Sequence, residues 1–331
     1  MRNIKRIIAA VIAATMGAAL CGCSAGNSGN SGDSGSNNAD KPVVIATIFP
    51  AYDFARQVFG DTAEVKMLLK PGQESHSYDP SAKDIVEISG CDLFIYNGGE
   101  SDEWVESVLK SAPDVATFRM TEAVTLLDEE LSEGMQVHEE HEEHDEHEHD
   151  DHEEEYDEHV WTSPKNASAI VRALGNTAAE LFPENSAELQ ENAGAYASQI
   201  DELDESFAQL FDGEDRYFVF GDRFPLLYFF KEYGLNYYAA FPGCGSETEP
   251  SAQTMTFLLE KLTGGTDVVP AVFCIELSAR RLSDVLAQDS GLEVREFHTC
   301  HNISADDFAA GETWLSLMQR NYDTLFELLK G

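Results

Sequence analysis

Basic residues are scarce in this chain of 331 residues. Lysine and arginine together number 21, against 61 aspartates and glutamates, so the formal net charge at pH 7 is −40. Coulomb repulsion at this charge opposes binding to nucleic acid or to anionic lipid head groups. The composition therefore argues against both as partners and favours the binding of cations.

Signatures of catalysis are also missing. The sequence has no HExxH string, which would place two zinc ligands and a general base on one helix, and from residue 41 onward it has no GxSxG nucleophile elbow. A GxxxxGKS/T phosphate-binding loop is absent as well. The main enzyme alternative, a secreted zinc hydrolase with an activated water on its metal, therefore lacks its expected motif. We expect neither an enzyme nor a nucleotide hydrolase.

No apolar run is long enough to span a bilayer comfortably. The run from Ile7 to Leu20 follows basic residues and is typical of a signal-peptide core. It ends in the string LCGC, which resembles a bacterial lipobox with a small glycine before the modified Cys23. Cys21 fits less well, because Leu20 would then occupy the position that the signal peptidase requires to be small. We expect a lipid anchor on Cys23; the alternative is a secretory signal without a lipid.

Cysteine is sparse beyond the signal sequence. Four cysteines remain, and outside the cytoplasmic membrane they can be oxidised: Cys91, Cys244, Cys274 and Cys300. Four cysteines allow three complete pairings, among which the sequence does not choose. We favour Cys244 with Cys300, because both follow predicted strands in loops that contain glycine or histidine.

The composition divides the chain into a tether and a folded body. Residues 24–40 consist almost wholly of serine, glycine, asparagine and aspartate, which offer no apolar surface to offset the entropy of ordering. About 290 residues follow, which exceeds the usual size of a single core and predicts two domains. The predicted divisions are a signal peptide 1–22, a flexible tether 23–40, an α/β lobe 41–183 containing an acidic His-rich loop 137–158, a connecting helix 184–212 and a second α/β lobe 213–331.

Apolar strings alternate with amphipathic stretches in the first lobe. Strands are predicted at VVIATIF, VKMLL and DLFIYNG, with helices over 52–59 and 82–88 between them. A further helix opens at Pro164 and stops before Pro183. This β-α-β-α-β order predicts a parallel sheet flanked by helices.

One long helix is predicted to join the lobes. Apolar residues recur along it at intervals of three and four: Leu189, Ala193, Tyr196, Ile200, Leu203, Phe207 and Leu210. A second alternation follows, with strands at RYFVF, LNYYAA, VVPAVFCIE and LEVREF and helices over 225–233, 252–262, 279–290 and 308–329. The predicted fold is α/β, with two lobes that each hold a parallel sheet flanked by helices and one long backbone helix between them.

Histidine is concentrated in one acidic segment. Between Val137 and Val160, seven histidines are interleaved with fourteen aspartates or glutamates. Such a segment cannot fold by itself, and imidazoles among carboxylates make many weak, interchangeable sites for zinc, copper or nickel. A merely solvated acidic loop explains the carboxylates but not the histidines. We expect accessory metal collection by His138, His141, His144, His147, His149 and His152.

The last histidine of this run, His159, lies in the motif DEHVWTSP, where Trp161 and Pro164 mark the return of ordered structure. His76 lies in PGQESHSYDPSAKDI, after the predicted strand VKMLL. These two motifs, in this order, resemble the paired signatures of the cluster A-I metal-binding proteins of ABC importers, the group of ZnuA-like zinc receptors and their manganese-binding relatives. The resemblance extends from Val43 to Leu329. It implies one metal ion held between the lobes, with His76 and His159 as ligands.

The second lobe departs from the pattern of this family. Members usually offer a histidine or glutamate ahead of the helix that ends in Tyr-Gly-Leu, and here that position is Arg223, which cannot lose its proton to bind a cation. Asp222 could substitute as a ligand, or Arg223 could hold a neighbouring carboxylate. The family's last ligand, typically an aspartate after the final strand, corresponds to His298. His301 faces either the same cleft or solvent, and Glu276 is expected to support the site by fixing an imidazole tautomer.

Three histidines with at most one carboxylate favour zinc over manganese, which prefers more oxygen ligands. Nickel and copper are the other metals that such a site can hold. The resemblance implies a monomeric receptor that captures zinc on the outer side of the membrane and delivers it to the permease and ATPase subunits of an ABC importer. The competing hypothesis is a cell-surface metal store or adhesin, for which the anchor and the His-rich loop would serve equally well.

Overall fold

The computed structural model describes residues 41–73, 76, 78–135, 156–243 and 250–331. The first lobe holds a parallel four-stranded sheet in the order β2-β1-β3-β4. Its elements are β1 (Val43–Ala46), α1 (Phe49–Phe59), β2 (Glu64–Met67), α2 (Ala82–Ser89), β3 (Leu93–Tyr96), α3 (Glu103–Ser111) and β4 (Thr117–Arg119). The predicted β-α-β-α-β order is confirmed, and α3 and β4 extend it by one further unit.

The second lobe repeats this arrangement after two long helices. Its elements are β5 (Tyr217–Phe224), α6 (Leu227–Tyr233), β6 (Asn236–Pro242), α7 (Ala252–Gly264), β7 (Val268–Ile275), α8 (Arg281–Ser290) and β8 (Glu293–Phe297). The sheet order is β6-β5-β7-β8, and every pairing is parallel. The four predicted strands are therefore confirmed, and their near-continuous apolar runs match a sheet covered on both faces.

Three long helices complete the fold, and two of them lie between the two sheets in the chain. They are α4 (Pro164–Leu181), α5 (Ser186–Phe211), which is the predicted connecting helix, and α10 (Trp314–Lys330). Both α4 and α10 pack against α5. One continuous cluster of buried apolar side chains includes Val44 of β1 and Ala271 of β7, so the two lobes share a core. A close-packed core of this kind resists large relative movement of the sheets it joins.

The C-terminal helix is interrupted, whereas a single helix was predicted over 308–329. The helix α9 (Ala305–Ala310) ends at Gly311, whose φ of 78° lies in the left-handed region that glycine adopts without strain. Thr313 and Ser316 then form a capping box that begins α10. The prediction was wrong because it followed the apolar spacing and gave no weight to the glycine.

Within the described residues, no helix combines the length and the apolar character needed to cross a membrane.

A half-buried carboxyl group links helices of both lobes. Glu232 on α6 accepts a hydrogen bond from the hydroxyl of Ser163, the residue that caps α4. Asp204 on α5 adjoins the same carboxyl group and accepts a hydrogen bond of 2.7 Å from the hydroxyl of Tyr233. Burial and the negative charge of Asp204 raise the pKa of Glu232 to about 7. The folded protein therefore keeps a proton on Glu232 that the unfolded chain releases near pH 4.5.

We expect the free energy of unfolding to fall as the pH rises from 4.5 to about 7, because the unfolded chain ionises Glu232 before the folded protein does. The loss attributable to this group is roughly 3 kcal/mol, complete once the pH passes the folded pKa. Glu232→Gln carries a neutral group throughout and should lack this part of the loss. Urea unfolding of both proteins across this pH range measures the difference, and parallel profiles would mean that Glu232 ionises normally.

Candidate metal centre

Three loops bring three histidines together, and two of these loops lie at the carboxyl ends of strands. In parallel α/β sheets this is the edge where ligands bind. His76 follows β2, His301 follows β8, and His159 directly precedes the short helical turn Val160–Thr162. One nitrogen of each imidazole lies within 4.8 Å of the others. Among the residues that the structure describes, this is the one group of His, Cys, Asp or Glu side chains placed to hold a metal ion.

His159 is completely buried. Its Nδ1 lies 3.2 Å from Oδ1 of Asp157, which also accepts the backbone N–H of His159 at 2.8 Å. Burial alone would lower the pKa of His159, but the charge of Asp157 and this hydrogen bond together raise it. With its Nδ1–H directed at the carboxylate, the ring carries its lone pair on Nε2, which is buried without a hydrogen-bond partner. An imidazole nitrogen in this condition is oriented as a metal ligand.

His76 is oriented by a relay of hydrogen bonds. Its Nδ1 lies 2.8 Å from Oγ of Ser101, and both the hydroxyl and the backbone N–H of Ser101 donate to the carboxylate of Glu158. The single hydroxyl proton of Ser101 is used in that bond, so Nδ1 of His76 must donate to Ser101. Nε2 of His76 therefore carries the lone pair, which is the form in which an imidazole nitrogen binds a metal ion.

His301 is positioned mainly through its backbone. Its N–H donates to Oε1 of Glu276 at 3.2 Å, and its ring packs against Trp161 with centroids 5.0 Å apart. Burial, followed by the positive charge of the neighbouring histidines and of Arg223, lowers the pKa of His301 well below its ordinary value. The imidazole is therefore neutral at physiological pH, which is the form that binds metal ions.

The spacing of the cluster suits a small ion with nitrogen ligands. Nitrogen ligands about 2.0–2.1 Å from a tetrahedral zinc lie about 3.4 Å apart. Ligand atoms within 4.8 Å of one another need only limited closure to reach that geometry. Gly243 leaves space beside the cluster, since a Cβ there would lie 3.2 Å from Cε1 of His159. Three imidazole ligands suit zinc, copper or nickel better than manganese.

Glu276 supports the site through the loop backbone. Its Oε2 accepts the N–H of Thr299 at 2.7 Å, and its Oε1 accepts both the hydroxyl of Thr299 at 2.7 Å and the N–H of His301. Nε1 of Trp161 donates to the carbonyl of Thr299 at 3.0 Å and holds the same loop from the DEHVWTSP motif. The tautomer-fixing bond that we predicted for Glu276 is not what the structure shows, because its carboxylate lies 3.9 Å from Nδ1 of His298.

The structure does not bring His298 into the cluster. Nδ1 of His298 accepts the N–H of Cys300 at 3.0 Å, and its backbone is bound on both sides by the side-chain amide of Asn321 on α10. The imidazole thus closes a turn of its own loop. Cys300 has a positive φ of 60°, and the chain turns there so that His301 reaches the cleft. Among the described residues, the third imidazole of the cluster is therefore that of His301 and not that of His298.

Asp222 is not part of the cluster either. Its Oδ1 accepts the N–H of Arg223 at 2.9 Å, and its Oδ2 accepts the N–H of Ile275 at 3.3 Å, so it ties the ends of β5 and β7 together. Burial raises the pKa of Asp222. Asp222 as a substitute ligand therefore stays a prediction that the described cluster does not include. Arg223 lines a cavity of about 120 Å³ together with His76 and His301.

Several predictions fall outside the described residues. The accessory histidines His138, His141, His144, His147, His149 and His152 do so, and so does Cys244. Cys91, Cys274 and Cys300 are buried free thiols. The favoured disulfide between Cys244 and Cys300 is therefore contradicted, because Cys300 is a free thiol.

Sequence reasoning missed the residues that orient the imidazoles. Asp157 and Glu158 were counted with the solvated acidic run, although their position directly before His159 and a buried tryptophan is a signal that they are ordered. Ser101 gave no signal, because it lies in a loop after β3 and reaches His76 only in the folded protein.

Comparison with known proteins identifies one family. The family model for zinc-uptake complex component A, periplasmic (ZnuA) matches residues 44–328. The zinc-binding lipoprotein AdcA of Streptococcus pneumoniae (strain ATCC BAA-255 / R6) is 29% identical over 286 residues, which cover 85% of this chain and 54% of AdcA. The chain thus spans about half the length of that relative. The high-affinity zinc uptake system protein ZnuA of Bacillus subtilis is 29% identical over 304 residues, and the match covers 92% of each chain.

The fold agrees with these matches. The crystal structure of the Zn(II)-bound ZnuA-like domain of Streptococcus pneumoniae AdcA is 26% identical in sequence and superposes with a TM-score of 0.71, covering 88% of this chain and all of that domain. The family model spans both sheets and all three histidines of the cluster. The chain therefore belongs to the ZnuA family of zinc-uptake complex components.

Proposed function

We propose that this protein is an extracytoplasmic receptor that captures one zinc ion between its lobes and delivers it to an ABC-type importer. The convergence of His76, His159 and His301, with Nε2 of His159 buried and unpartnered, carries the proposal. Zinc is the favoured cargo because the donors are imidazole nitrogens. Nickel and copper accept the same donors, whereas manganese prefers oxygen.

Capture joins the two lobes across the cleft. His76 and His159 belong to the first lobe and His301 to the second. Beside them, the side chain of Asn302 accepts the N–H of Gly72 and donates to the carbonyl of Gln73, in the loop that carries His76. Because the lobes share a core, we expect a small shift on zinc release instead of a wide hinge opening.

The surrounding parts suit delivery to a membrane partner. A lipid on Cys23 and the tether 23–40 would hold the body at the outer face of the cytoplasmic membrane. The His-rich loop 137–158 would raise the local zinc concentration. The loaded body would dock as a monomer on a permease whose ATPase subunits supply the energy, so this chain needs no catalytic machinery of its own.

A surface metal store or adhesin is the alternative function. A store needs only the exposed histidines of the loop. It has no use for a buried imidazole aligned by Asp157, or for the relay from Glu158 through Ser101 to His76. The construction of this interior site favours import.

We expect the soluble body Asp40–Gly331, which is one compact unit, to bind one zinc ion tightly and several more weakly. Replacing residues 137–154 by a short Gly-Ser linker should remove only the weak sites. The deletion stops before Tyr156, because Tyr156 pairs with Asp128 and the following Asp157 aligns His159. Zinc titration by calorimetry, against a competing chelator for the tight site, measures both classes.

The decisive control is the fold of the deletion variant, followed by circular dichroism and thermal unfolding. If the variant is folded and the tight site is gone, the metal lies in the loop and the protein is a metal store. If the tight site survives, the interior cluster binds the cargo.

A further inference from the structure

We propose that Tyr228 of the second lobe is a positioning residue of the metal centre. Its hydroxyl group holds together Leu127 and Asp157, which flank the accessory histidines, and thereby keeps the carboxylate of Asp157 directed at His159. This inference rests on the proposed function, because it adds a residue that governs the same zinc site. Three hydrogen bonds, the burial of the residues that make them and the packing of α6 support it.

The chain segments that flank the accessory histidines meet in a short stem. Asp128 pairs with Tyr156 in an antiparallel bridge, and the N–H of Asp157 donates to the carbonyl of Leu127 at 2.9 Å. These four residues form the stem. Its returning side leads two residues later to His159, which is completely buried. A group that fixes the stem therefore also fixes the approach of the chain to this ligand.

One hydroxyl group of the second lobe bonds to both sides of the stem. Oη of Tyr228, on α6, accepts the N–H of Leu127 at 3.1 Å and donates to the carbonyl of Asp157 at 2.8 Å. Burial raises the pKa of Tyr228, so the hydroxyl group keeps the proton that the second bond requires. With the bond from Asp157 to Leu127, the three residues are joined pairwise in a triangle of hydrogen bonds.

Asp157 is held at three points once this triangle is formed. Its N–H and its carbonyl bond to Leu127 and Tyr228, and its Oδ1 binds both the backbone N–H and Nδ1 of His159. Asp157 is 2% exposed and Tyr228 is 3% exposed, so water does not readily replace a bond that is lost. Without the hydroxyl group the carbonyl of Asp157 lacks its donor, and the residue can turn away from His159. The direction of the imidazole thus depends on Tyr228.

The second lobe contacts this region at further points. Helix α6 packs against the turn Val160–Thr162, which follows His159. The outgoing chain continues along the second lobe, where Gly134 has a φ of 90° and a Cβ on it would lie 2.2 Å from Cδ1 of Phe257 on α7. A relative shift of the lobes therefore strains the triangle at Tyr228 and disturbs the alignment of His159. Zinc release is thereby coupled to movement of the lobes.

The first test is Tyr228→Phe, which removes the hydroxyl group and keeps the aromatic ring. Changing a group that orients a metal ligand weakens metal binding roughly 10–100-fold, and because Tyr228 acts through Asp157 we expect about tenfold weaker binding at the tight site of the body Asp40–Gly331. Tyr233→Phe is the matched control, since it removes another hydroxyl group of α6, one that donates to Asp204 of α5. It should change zinc affinity by less than about threefold, because no group that orients a ligand is lost. Chelator competition measures the affinities, and thermal unfolding verifies that both variants are folded.

Hydrogen exchange at the amide of Leu127 gives a readout that a merely structural role does not predict. This amide bonds to Tyr228 and not to a metal ligand. Coupling free energies are reciprocal, so a triangle that strengthens zinc binding about tenfold is itself held closed about tenfold more firmly by zinc. We expect zinc to slow exchange at Leu127 by about this factor in the parent protein. The measurement needs no substitution and decides the matter even if Tyr228→Phe does not fold.

Equal zinc affinity in the parent and in folded Tyr228→Phe, or exchange at Leu127 that zinc leaves unchanged, overturns the role of Tyr228 and leaves zinc capture intact. Equal weakening in Tyr228→Phe and Tyr233→Phe also overturns it, because the effect would then come from lost stability. A parent protein without a tight zinc site overturns the proposed function instead.

Discussion

Replacing His301 by alanine is expected to weaken tight zinc binding by two to three orders of magnitude. Structural zinc sites with four ligands bind with about 10–16 kcal/mol, so one nitrogen ligand contributes roughly 3–4 kcal/mol. His301 is neutral and needs no deprotonation, and its loop is held by Glu276 and Trp161 before any metal arrives. Chelator competition on the body Asp40–Gly331 measures the change in affinity.

His298→Asn is the matched control, because it removes the other histidine of the same loop. An asparagine carbonyl can replace Nδ1 of His298 as the acceptor for the N–H of Cys300 and so keep the turn. We expect zinc affinity in this variant to stay within about threefold of the parent, since no ligand is lost. The opposite ranking of the two variants, with both folded, would restore His298 as the ligand.

The pair of histidines shows where sequence reasoning ends. His298 and His301 both follow β8 and lie close together in the sequence near the cleft. The family pattern indicated His298. The choice between them depends on the positive φ of Cys300 and on the hydrogen bonds that Glu276 accepts from the backbone N–H groups of Thr299 and His301, 23 and 25 positions away. No local pattern contains that information, because it arises from packing of β7 against β8.

The fold could be predicted for physical reasons, whereas His76 and His159 were expected as ligands from the family resemblance of their two motifs. A β-branched strand buried on both faces has a recognisable apolar run, and the loops at its carboxyl end carry the ligands in any parallel sheet. His76 lies in such a loop after β2, whereas His159 directly precedes the helical turn Val160–Thr162. The orienting groups are harder to predict, since Ser101 and Glu158 are joined to His76 only across the fold. Asp157 was easier to predict, because it lies only two residues before its partner His159.

The second large effect is expected from Asp53→Ala, which should reduce the free energy of unfolding by about 3–5 kcal/mol. Asp53 of α1 is fully buried. Its Oδ2 accepts the N–H of Trp314 and the hydroxyl of Tyr196, each at 2.8 Å, and its Oδ1 accepts Nη2 of Arg56 at 2.8 Å. The substitution leaves these donors without their carboxylate. For a body of this size the melting temperature should drop by roughly 6–10 °C.

The comparison is made without metal, because bound zinc would stabilise the folded state and mask part of the loss. Asp53→Asn keeps the shape but not the charge and should cost about half as much. Asp114→Ala, at an exposed position, should change the free energy of unfolding by less than about 0.5 kcal/mol. Asp53 fixes the first turn of α10, and Nε1 of Trp314 in that turn donates to the carbonyl of Trp161. If Asp53→Ala lowered the free energy of unfolding as little as Asp114→Ala, Asp53 would not be what fixes the start of α10. The contact of Trp314 with Trp161 would then not depend on Asp53.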